Sequence, residues 1–299
     1  MHRDQKTGIA LALLAVIIWS GNFVVARDLI KEIPPISLNF YRWLIASLLI
    51  APFAIKKTIV EWQYIKKAWL YLLLVALSGV SLFNTFVYIG AHYTTAINMA
   101  LIGTTSSPII AVILARIFLH EKVYFNKALG MLMCLAGVLY LLCKGNFHNL
   151  LHLHFGTGDL WLLVAAFCFA VYNTSVKKKP KEISALPFLF SIFTLGTLLL
   201  VPFYIYENAH SSAITWNSHL LFSVLFLGLG ASVICFYIWN LAIGKLGAGR
   251  TALFGNLIPV FSSLEAVILL NEKITTFHII SFIIVAAGLF IANLNHRSN

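Results

Sequence analysis

The sequence is a succession of ten apolar runs, each close to the length that a helix needs to cross a lipid bilayer. A transmembrane helix requires about 20 predominantly apolar residues to span the hydrocarbon core. This pattern predicts an all-α integral membrane protein with ten transmembrane helices, numbered here as spans one to ten. The runs lie at roughly residues 8–26, 36–55, 69–91, 96–118, 124–143, 157–176, 185–206, 217–242, 248–270 and 276–295.

The composition requires a lipid environment. Hydrophobic residues make up 60% of the 299 residues and charged residues only 10%, whereas a soluble domain carries about 25% charged residues. The formal net charge of +11 comes from bases in short links between apolar runs, which indicates membrane topology rather than nucleic-acid binding. The four cysteines lie in or beside apolar runs without metal-site spacing, so they are interpreted as packing residues and no metal centre is expected.

The basic residues also predict the orientation of the chain. If the N-terminus is inside and the spans alternate, 16 of the 21 Lys and Arg residues fall at inner ends or links, and five fall at outer ones. Bases concentrate on the cytoplasmic side of membrane proteins. The sequence therefore predicts that both termini lie inside (N-in and C-in).

The sequence repeats itself at an offset of 151 residues. Each half holds five spans, an odd number, so the second half must enter the membrane from the opposite side. We therefore expect two inverted five-helix repeats, residues 1–147 and 148–299, an arrangement found in many secondary transporters. The aligned pairs include Pro108 with Pro259, Glu121 with Glu272, Lys122 with Lys273, Asn22 with Asn173, Gly79 with Gly230, and Ser81 with Ser232.

The ordered motifs resemble those of EamA-type members of the drug/metabolite transporter superfamily. Residues 18–24, Ile-Trp-Ser-Gly-Asn-Phe-Val, resemble the W-G-x-N-F element of the first span, and residues 40–46, Phe-Tyr-Arg-Trp-Leu-Ile-Ala, resemble the second-span arginine motif. The stretch from Pro108 to Glu121 resembles the end of the repeat and recurs from Pro259. Two departures fall in the second half, where Ala170 stands at the position of Trp19 and Phe193 at that of Arg42.

This resemblance implies a single-chain transporter of metabolites, with amino acids and their derivatives as a common substrate class and export as a common direction. It implies a central cavity bounded by spans one to four and six to nine, with spans five and ten at the periphery. It further implies a small-molecule substrate, no cofactor, a multi-pass location in the cell membrane, here a bacterial inner membrane, and a monomer or weak dimer.

A polar stripe follows one face of span three. Its members Ser81, Asn84, Tyr88 and His92 recur at three- and four-residue steps, so they share one side of a helix. The repeat offset maps them onto Ser232, Cys235, Trp239 and Ile243 of span eight. A polar and aromatic wall facing a more apolar one suits an amphipathic organic solute. The alternative is that the stripe serves only hydrogen bonding between helices.

Two asparagines and several aromatic residues are further candidates for the pathway. Trp19 and Asn22 lie one turn apart in span one, and Asn173 is the counterpart of Asn22. A buried amide offers both a donor and an acceptor to a zwitterion, or it clamps two helices together. Tyr237 and Trp239 are two residues apart, so only one of them faces the centre.

The two prolines predict helix kinks that expose polar groups. Asn98 and Thr105 precede Pro108 in span four, while Asn256 precedes and Ser263 follows Pro259 in span nine. A proline removes one backbone hydrogen bond and bends its helix, so the freed carbonyl and neighbouring polar side chains could contact a solute. The alternative is a kink that serves packing alone.

Two ionisable residues lie within the apolar runs, where charge is costly and usually functional. Glu265 of span nine has Leu114 as its counterpart, so it breaks the repeat. It could carry a coupling proton, bind a substrate ammonium, or act as a structural partner of a base. Arg42, in the outer part of span two, could bind a carboxylate, although an external gate or helix-end role is the favoured interpretation.

The features expected of other functional classes are not found in the sequence. A nucleotide-driven pump would show a G-x-x-x-x-G-K-[ST] loop. An intramembrane enzyme would show a metal motif or a nucleophile–base pair, and an assembly or sensor subunit would show a soluble domain. The sequence has none of these features. The loop histidines His148, His152 and His154 are interpreted as solvated. Within transporters, carriers of drugs or toxic cations and of phosphorylated metabolites remain alternatives, although phosphate esters would call for several bases in the cavity.

Overall fold

A computed structural model describes residues 3–29, 32–90, 92–93, 105–120, 124–143, 145–146, 157–270 and 275–293. The regular structure of these residues is helical throughout. The helices are α1 (Arg3–Leu29), α2 (Pro35–Val60), α3 (Trp62–Lys67), α4 (Trp69–Gly90), α5 (Thr105–Phe118), α6 (Phe125–Leu142), α7 (Thr157–Val176), α8 (Ala185–His210), α9 (Ser218–Leu246), α10 (Ala248–Ala252), α11 (Ile258–Leu270) and α12 (Thr276–Asn293).

Four of these helices, α2, α4, α8 and α9, are long and apolar enough to cross a membrane, judged by length and composition. Shorter apolar helices occupy Phe125–Gly137, Leu160–Val176 and Thr276–Ala292. Large apolar side chains such as those of Phe53, Phe222 and Phe290 are exposed on the outer surface. A surface of this kind is stable against lipid rather than water, and the chain is a multi-pass membrane protein.

The repeat is visible in the packing of α6 against α12. These helices begin and end 151 residues apart, and the Cys134 thiol of α6 donates to the carbonyl of its own counterpart, Val285, at 3.7 Å. Gly130 lies against Gly288, and a Cβ built on Gly130 would come within 2.4 Å of the Gly288 carbonyl oxygen. The two helices therefore run antiparallel with their backbones in contact, which small residues permit in membranes.

The helices α2 and α8 form a second antiparallel pair, but in a different register. Both ends of these helices differ by 150 residues, and the Ser47 and Thr197 hydroxyls meet at 3.4 Å. The single offset of 151 is therefore wrong for this pair: Ile192 is the counterpart of Arg42, and Phe193 is the counterpart of Trp43. The rings of Trp43 and Phe193 lie 4.9 Å apart.

Glutamates close both ends of the α2–α8 pair. At one end the Glu61 carboxylate accepts from the amide and hydroxyl of Ser184, at 2.8 and 2.5 Å. At the other end Glu207 accepts from the Ser37 amide and hydroxyl, at 2.6 and 2.8 Å, and from the Ile36 amide. Each carboxylate thus satisfies free N–H groups at the start of the partner helix.

Lys179 lies in the link before α8. Its ammonium donates to the carbonyls of Pro180 and Ile183. Partial burial lowers the pKa of Lys179, although the charges of Glu61 and Glu182 act in the opposite direction. The link is therefore held close to the Glu61 end of the helix pair.

Both α4 and α9 contain a π-helical segment in the middle, which the periodic sequence pattern does not predict. The segments are Leu77–Leu82 and Leu227–Ile234, and the offset of 151 superimposes them, with Gly79 on Gly230 and Ser81 on Ser232. A π-turn interrupts the regular hydrogen-bond register, and such turns are frequent at functional sites.

The remaining contacts follow the same two-fold pattern. Helix α1 packs on α9 and α11, and its counterpart α7 packs on α4 and α5. Helix α2 packs on the π-segment of α9, just as α8 packs on that of α4. The core between these helices holds the polar and aromatic residues described next.

Candidate functional site

Arg42 occupies the centre of a buried hydrogen-bond network. Its side chain is 2% exposed. Nε donates to Ser232 Oγ at 2.7 Å, and Nη1 donates to Asn84 Oδ1 and Tyr88 Oη at 3.0 Å each. The guanidinium also lies 5.1 Å from the centre of the Trp43 ring. A buried cation is tolerated only when its donors are matched in this way.

The π-segment of α9 supplies a backbone acceptor to this network. The Ala231 carbonyl accepts from Arg42 Nη2 at 3.2 Å and from Trp19 Nε1 at 2.8 Å. The Ser232 hydroxyl in turn donates to the Leu227 carbonyl, five residues earlier. The non-α geometry therefore allows a mid-helix carbonyl to bind side chains from α1 and α2. In α4 the equivalent segment does the same, because the Ser81 carbonyl accepts from Asn39.

Aromatic rings surround the network on the side of α7 and α9. The Trp19 ring lies 4.9 Å from that of Trp239 and 5.8 Å from those of Phe169 and Phe236, in edge-to-face geometry. The Phe236 ring also meets Trp43 at 5.0 Å. Rings at these distances attract one another beyond simple burial. We call Trp19, Trp43, Phe169, Tyr172, Phe236 and Trp239 the aromatic cluster.

Two crossed hydrogen bonds join α7 to α9 inside the cluster. Trp239 Nε1 donates to Asn173 Oδ1 at 2.6 Å, and Tyr172 Oη donates to Asn240 Oδ1 at 2.8 Å. Each helix thus contributes an aromatic residue followed directly by an asparagine. Asn173 is fully buried, so its bond to Trp239 is shielded from water and fixes the rotamers of both side chains.

Glu265 lies apart from this cluster, between α11 and α1. Its Oε1 lies 2.6 Å from the Ser20 hydroxyl oxygen, within hydrogen-bond distance, and its buried Oε2 has no hydrogen-bond partner among the described residues. The same Ser20 hydroxyl lies 2.6 Å from the Ile17 carbonyl. Gly21 borders the carboxylate, as a Cβ built on Gly21 would lie 3.4 Å from Oε2; the same Cβ would lie 3.6 Å from the Phe226 ring.

The structure brings together six of the residues singled out from the sequence: Trp19, Arg42, Asn84, Tyr88, Asn173 and Trp239. The stripe on span three does not reach His92, because α4 ends at Gly90 and His92 is exposed in the turn that follows. Tyr237 is half-buried at the edge of the core. Asn256 is buried beside the Cys134 thiol, at the α6–α12 pair.

Span nine is broken rather than kinked at its proline. Helix α10 is followed by a 3₁₀ segment, Leu253–Leu257, and Pro259 occupies the first turn of α11, where a proline costs little. Pro108 likewise lies in the first turn of α5. Asn98 falls outside the described residues, and the side chains of Asn22, Thr105, Pro108 and Ser263 are outside them as well.

Sequence reasoning missed several members of the site. The sequence pattern does not single out four aromatic residues of the site, because aromatic residues are frequent throughout this chain. They are Trp43, Phe169, Tyr172 and Phe236. The usable signal was the pair of dipeptides Tyr172-Asn173 and Trp239-Asn240, each preceded three residues earlier by a phenylalanine. An amide next to an aromatic residue at bilayer depth must find a partner, and here each finds the aromatic residue of the other dipeptide.

Comparison with known proteins agrees with this architecture. Curated relatives include an uncharacterized transporter of Archaeoglobus fulgidus, 29% identical over 300 residues (96% of this chain, 97% of the relative), and a probable amino-acid metabolite efflux pump of Escherichia coli, 24% identical over 300 residues (96% and 95%). A solved structure shares the fold with a TM-score of 0.79 at 16% identity, covering 96% of each chain.

A family model matches the chain twice in tandem, over residues 6–143 and 156–294, so that it covers most of both halves. The model describes the EamA-like transporter family. The resemblance inferred from the motifs is thereby confirmed, and this chain belongs to the EamA-like transporter family.

Proposed function

We propose that the chain is a secondary active transporter that moves small organic metabolites, first of all amino acids or related compounds, across the cytoplasmic membrane. The observation that carries this proposal is the buried Arg42 network and aromatic cluster, built from helices of both halves. We further propose ten spans arranged as two inverted repeats, residues 1–147 and 148–299, with both termini inside, and export from a bacterial cell as the direction.

Alternating access is supported by the packing of the two halves. Counterpart helices pack antiparallel in both the α2–α8 and α6–α12 pairs, as inverted halves require. Two halves that are alike but not identical can exchange conformations, which moves a central site from one face of the membrane to the other. Such an exchange would strain first one and then the other of the two glutamate caps, which lie at opposite ends of the α2–α8 pair.

An amino-acid-like substrate is supported by the chemistry of the site and by the relatives. The site combines a guanidinium, amides and aromatic rings, which suits a small solute with a polar head and an apolar body. Relatives from Escherichia coli and Salmonella typhimurium are named probable amino-acid metabolite efflux pumps, at 24% and 25% identity.

Glu265 is the proposed site of a coupling proton. A serine hydroxyl has one hydrogen, yet Ser20 Oγ lies 2.6 Å from both Glu265 Oε1 and the Ile17 carbonyl. Both bonds form at once when Glu265 carries a proton and donates it to Ser20, while Ser20 donates to Ile17. Loss of that proton leaves Ser20 with one hydrogen for two acceptors, so that either its bond within α1 or its contact with α11 is released.

The test is a metabolite panel on purified protein in proteoliposomes, measured by counterflow, with amino acids first. Counterflow of one or more amino acids, lost in Arg42→Ala, supports the proposal. Counterflow of lipophilic cations alone would instead favour a drug carrier that uses Glu265 as a counter-ion. Counterflow of phosphate esters alone would point to a phosphorylated-metabolite carrier, and either result overturns the amino-acid assignment.

A further inference from the structure

The amide orientations of Asn84 and Asn173 are fixed by their partners. Asn84 Oδ1 faces Arg42 Nη1, and Asn173 Oδ1 faces Trp239 Nε1. A guanidinium and an indole nitrogen can only donate, so each asparagine must turn its oxygen toward that partner. The usual ambiguity between amide oxygen and nitrogen therefore does not arise at either position.

This orientation leaves two amide N–H₂ groups pointing away from the network. Neither Asn84 Nδ2 nor Asn173 Nδ2 has a hydrogen-bond partner among the described residues, and the two residues are only 4% and 0% exposed. The indole nitrogen of Trp43, which is fully buried next to Arg42, also has no hydrogen-bond partner among the described residues. Buried donors in native proteins nearly always have a partner, so these three nitrogens require an acceptor that the described chain does not provide.

We propose that Asn84, Asn173 and Trp43, together with Arg42, recognise the carboxylate group of the transported solute. The aromatic cluster then contacts the apolar part of that solute. This inference rests on the proposed transport function and narrows it to substrates that carry a carboxylate. The donors belong to α2, α4 and α7, which come from both halves, so a bound carboxylate would join the halves of the protein.

The polarity of the site distinguishes a carboxylate from an ammonium group. An ammonium ion has three donors and no acceptor, so it gives the free N–H₂ groups no partner and would have to share the amide oxygens that already accept from Arg42 and Trp239. A carboxylate accepts up to four hydrogen bonds, and charge-assisted bonds of this kind are the strong ones. Asn39 has the opposite orientation, because its nitrogen donates to Ser81 and Thr85 and its oxygen has no hydrogen-bond partner among the described residues. The Asn39 side chain lies in the contact between α2 and α4.

The experiment compares matched solutes on the full-length protein purified in detergent, by thermal unfolding. One series is 3-phenylpropionate, 2-phenylethylamine and L-phenylalanine; the other is 4-methylpentanoate, 3-methylbutylamine and L-leucine. Within each series the first member lacks the ammonium and the second lacks the carboxylate. We expect the acid and the amino acid of at least one series to raise the midpoint of unfolding, and the amines to leave it unchanged.

The variant Asn173→Asp tests the donor directly. Aspartate keeps the acceptor for Trp239 but replaces the free N–H₂ with a second oxygen, so the binding of the acid should weaken by about tenfold or more. Asn208→Asp, the same change on the exposed last turn of α8, should leave binding unaltered.

Three results would overturn the inference. They are stabilisation by the amines alone, no stabilisation by any member of either series, and equal binding of acid by wild type and Asn173→Asp. None of these results would remove the transport function, which the counterflow panel tests separately. Counterflow of a solute without a carboxylate would therefore reject this inference while supporting a transporter.

Discussion

Trp239 donates its indole hydrogen to Asn173 at 2.6 Å, while the residues beside them, Tyr172 and Asn240, make the reverse bond at 2.8 Å. The α7–α9 contact is thus closed by two side-chain bonds of opposite direction. The first half of the protein contributes α1 and α2 to the aromatic cluster and the second half contributes α7 and α9; of these four helices only α7 and α9 carry this dipeptide. Disrupting one bond leaves the other in place, which makes their separate contributions measurable.

The first prediction concerns Trp239→Phe. Phenylalanine keeps a ring against Trp19 but removes the donor, so Asn173 Oδ1 loses its bond in a buried site. We expect the free energy of unfolding to fall by about 1–3 kcal/mol, measured by denaturant or thermal unfolding in detergent. Trp62→Phe, at an exposed position on α3, is the matched control. Equal stability of the two variants would contradict the prediction.

The second prediction concerns the shape of Arg42. Lysine at this position keeps the charge but cannot make bonds to Ser232, Asn84, Tyr88 and the Ala231 carbonyl at once. We expect Arg42→Lys to reduce counterflow by about tenfold or more. Arg116→Lys changes an exposed arginine on α5 in the same way and should retain the wild-type rate. A normal rate in Arg42→Lys would mean that charge alone is sufficient.

The third prediction concerns the two glutamate caps. Glu61→Gln should speed amide hydrogen exchange in the first turn of α8, where Ser184 loses its carboxylate, and should leave the first turn of α2 unchanged. Glu207→Gln should give the reverse pattern, so each variant serves as the control of the other. The loss of a helix cap costs about 1 kcal/mol, which corresponds to roughly fivefold faster exchange. Identical exchange patterns in the two variants would rule out local capping.

The fourth prediction concerns proton coupling at Glu265. Glu265→Gln retains a group that can bond to Ser20 but cannot release a proton, so flux driven by a pH gradient should be lost while counterflow of the same solute at equal pH persists. The measurement is transport in proteoliposomes with and without an imposed pH gradient. Glu182→Gln, an exposed change in the link before α8, should keep the response. Unchanged pH-driven flux in Glu265→Gln would exclude the coupling role.

The spacing of polar residues predicted which side chains of span three act together, but not what they bind. Asn84 and Tyr88 share a face, as their four-residue step requires, and both reach Arg42. Arg42 is their partner because of the rotation of α2 about its own axis, and this rotation is set by packing against α8. The periodic pattern within a single helix does not contain that information. The sequence favours a gate or helix-end role for Arg42, and the structure places this residue at the centre of the network.

Local interruptions of helix geometry limited the remaining predictions. The one-residue change of register between α2 and α8 is invisible to a single offset, although the pair Pro52 and Pro202 marks it. The extension of the stripe to His92 requires an ideal helix that continues beyond Gly90, where α4 ends. Four of the described helices meet the length and hydropathy expected of a span, and the count of ten spans stays a prediction.

The paired π-segments also bear on the history of the chain. A π-turn closes i→i+5 hydrogen bonds, so it contains one residue more than an α-turn. Leu77–Leu82 and Leu227–Ile234 occupy equivalent places in the two halves. The most economical order of events therefore has the π-turn present in an ancestral half-length sequence, before duplication and fusion. The backbone acceptor that now binds Trp19 and Arg42 would then be older than the two-repeat protein that contains it.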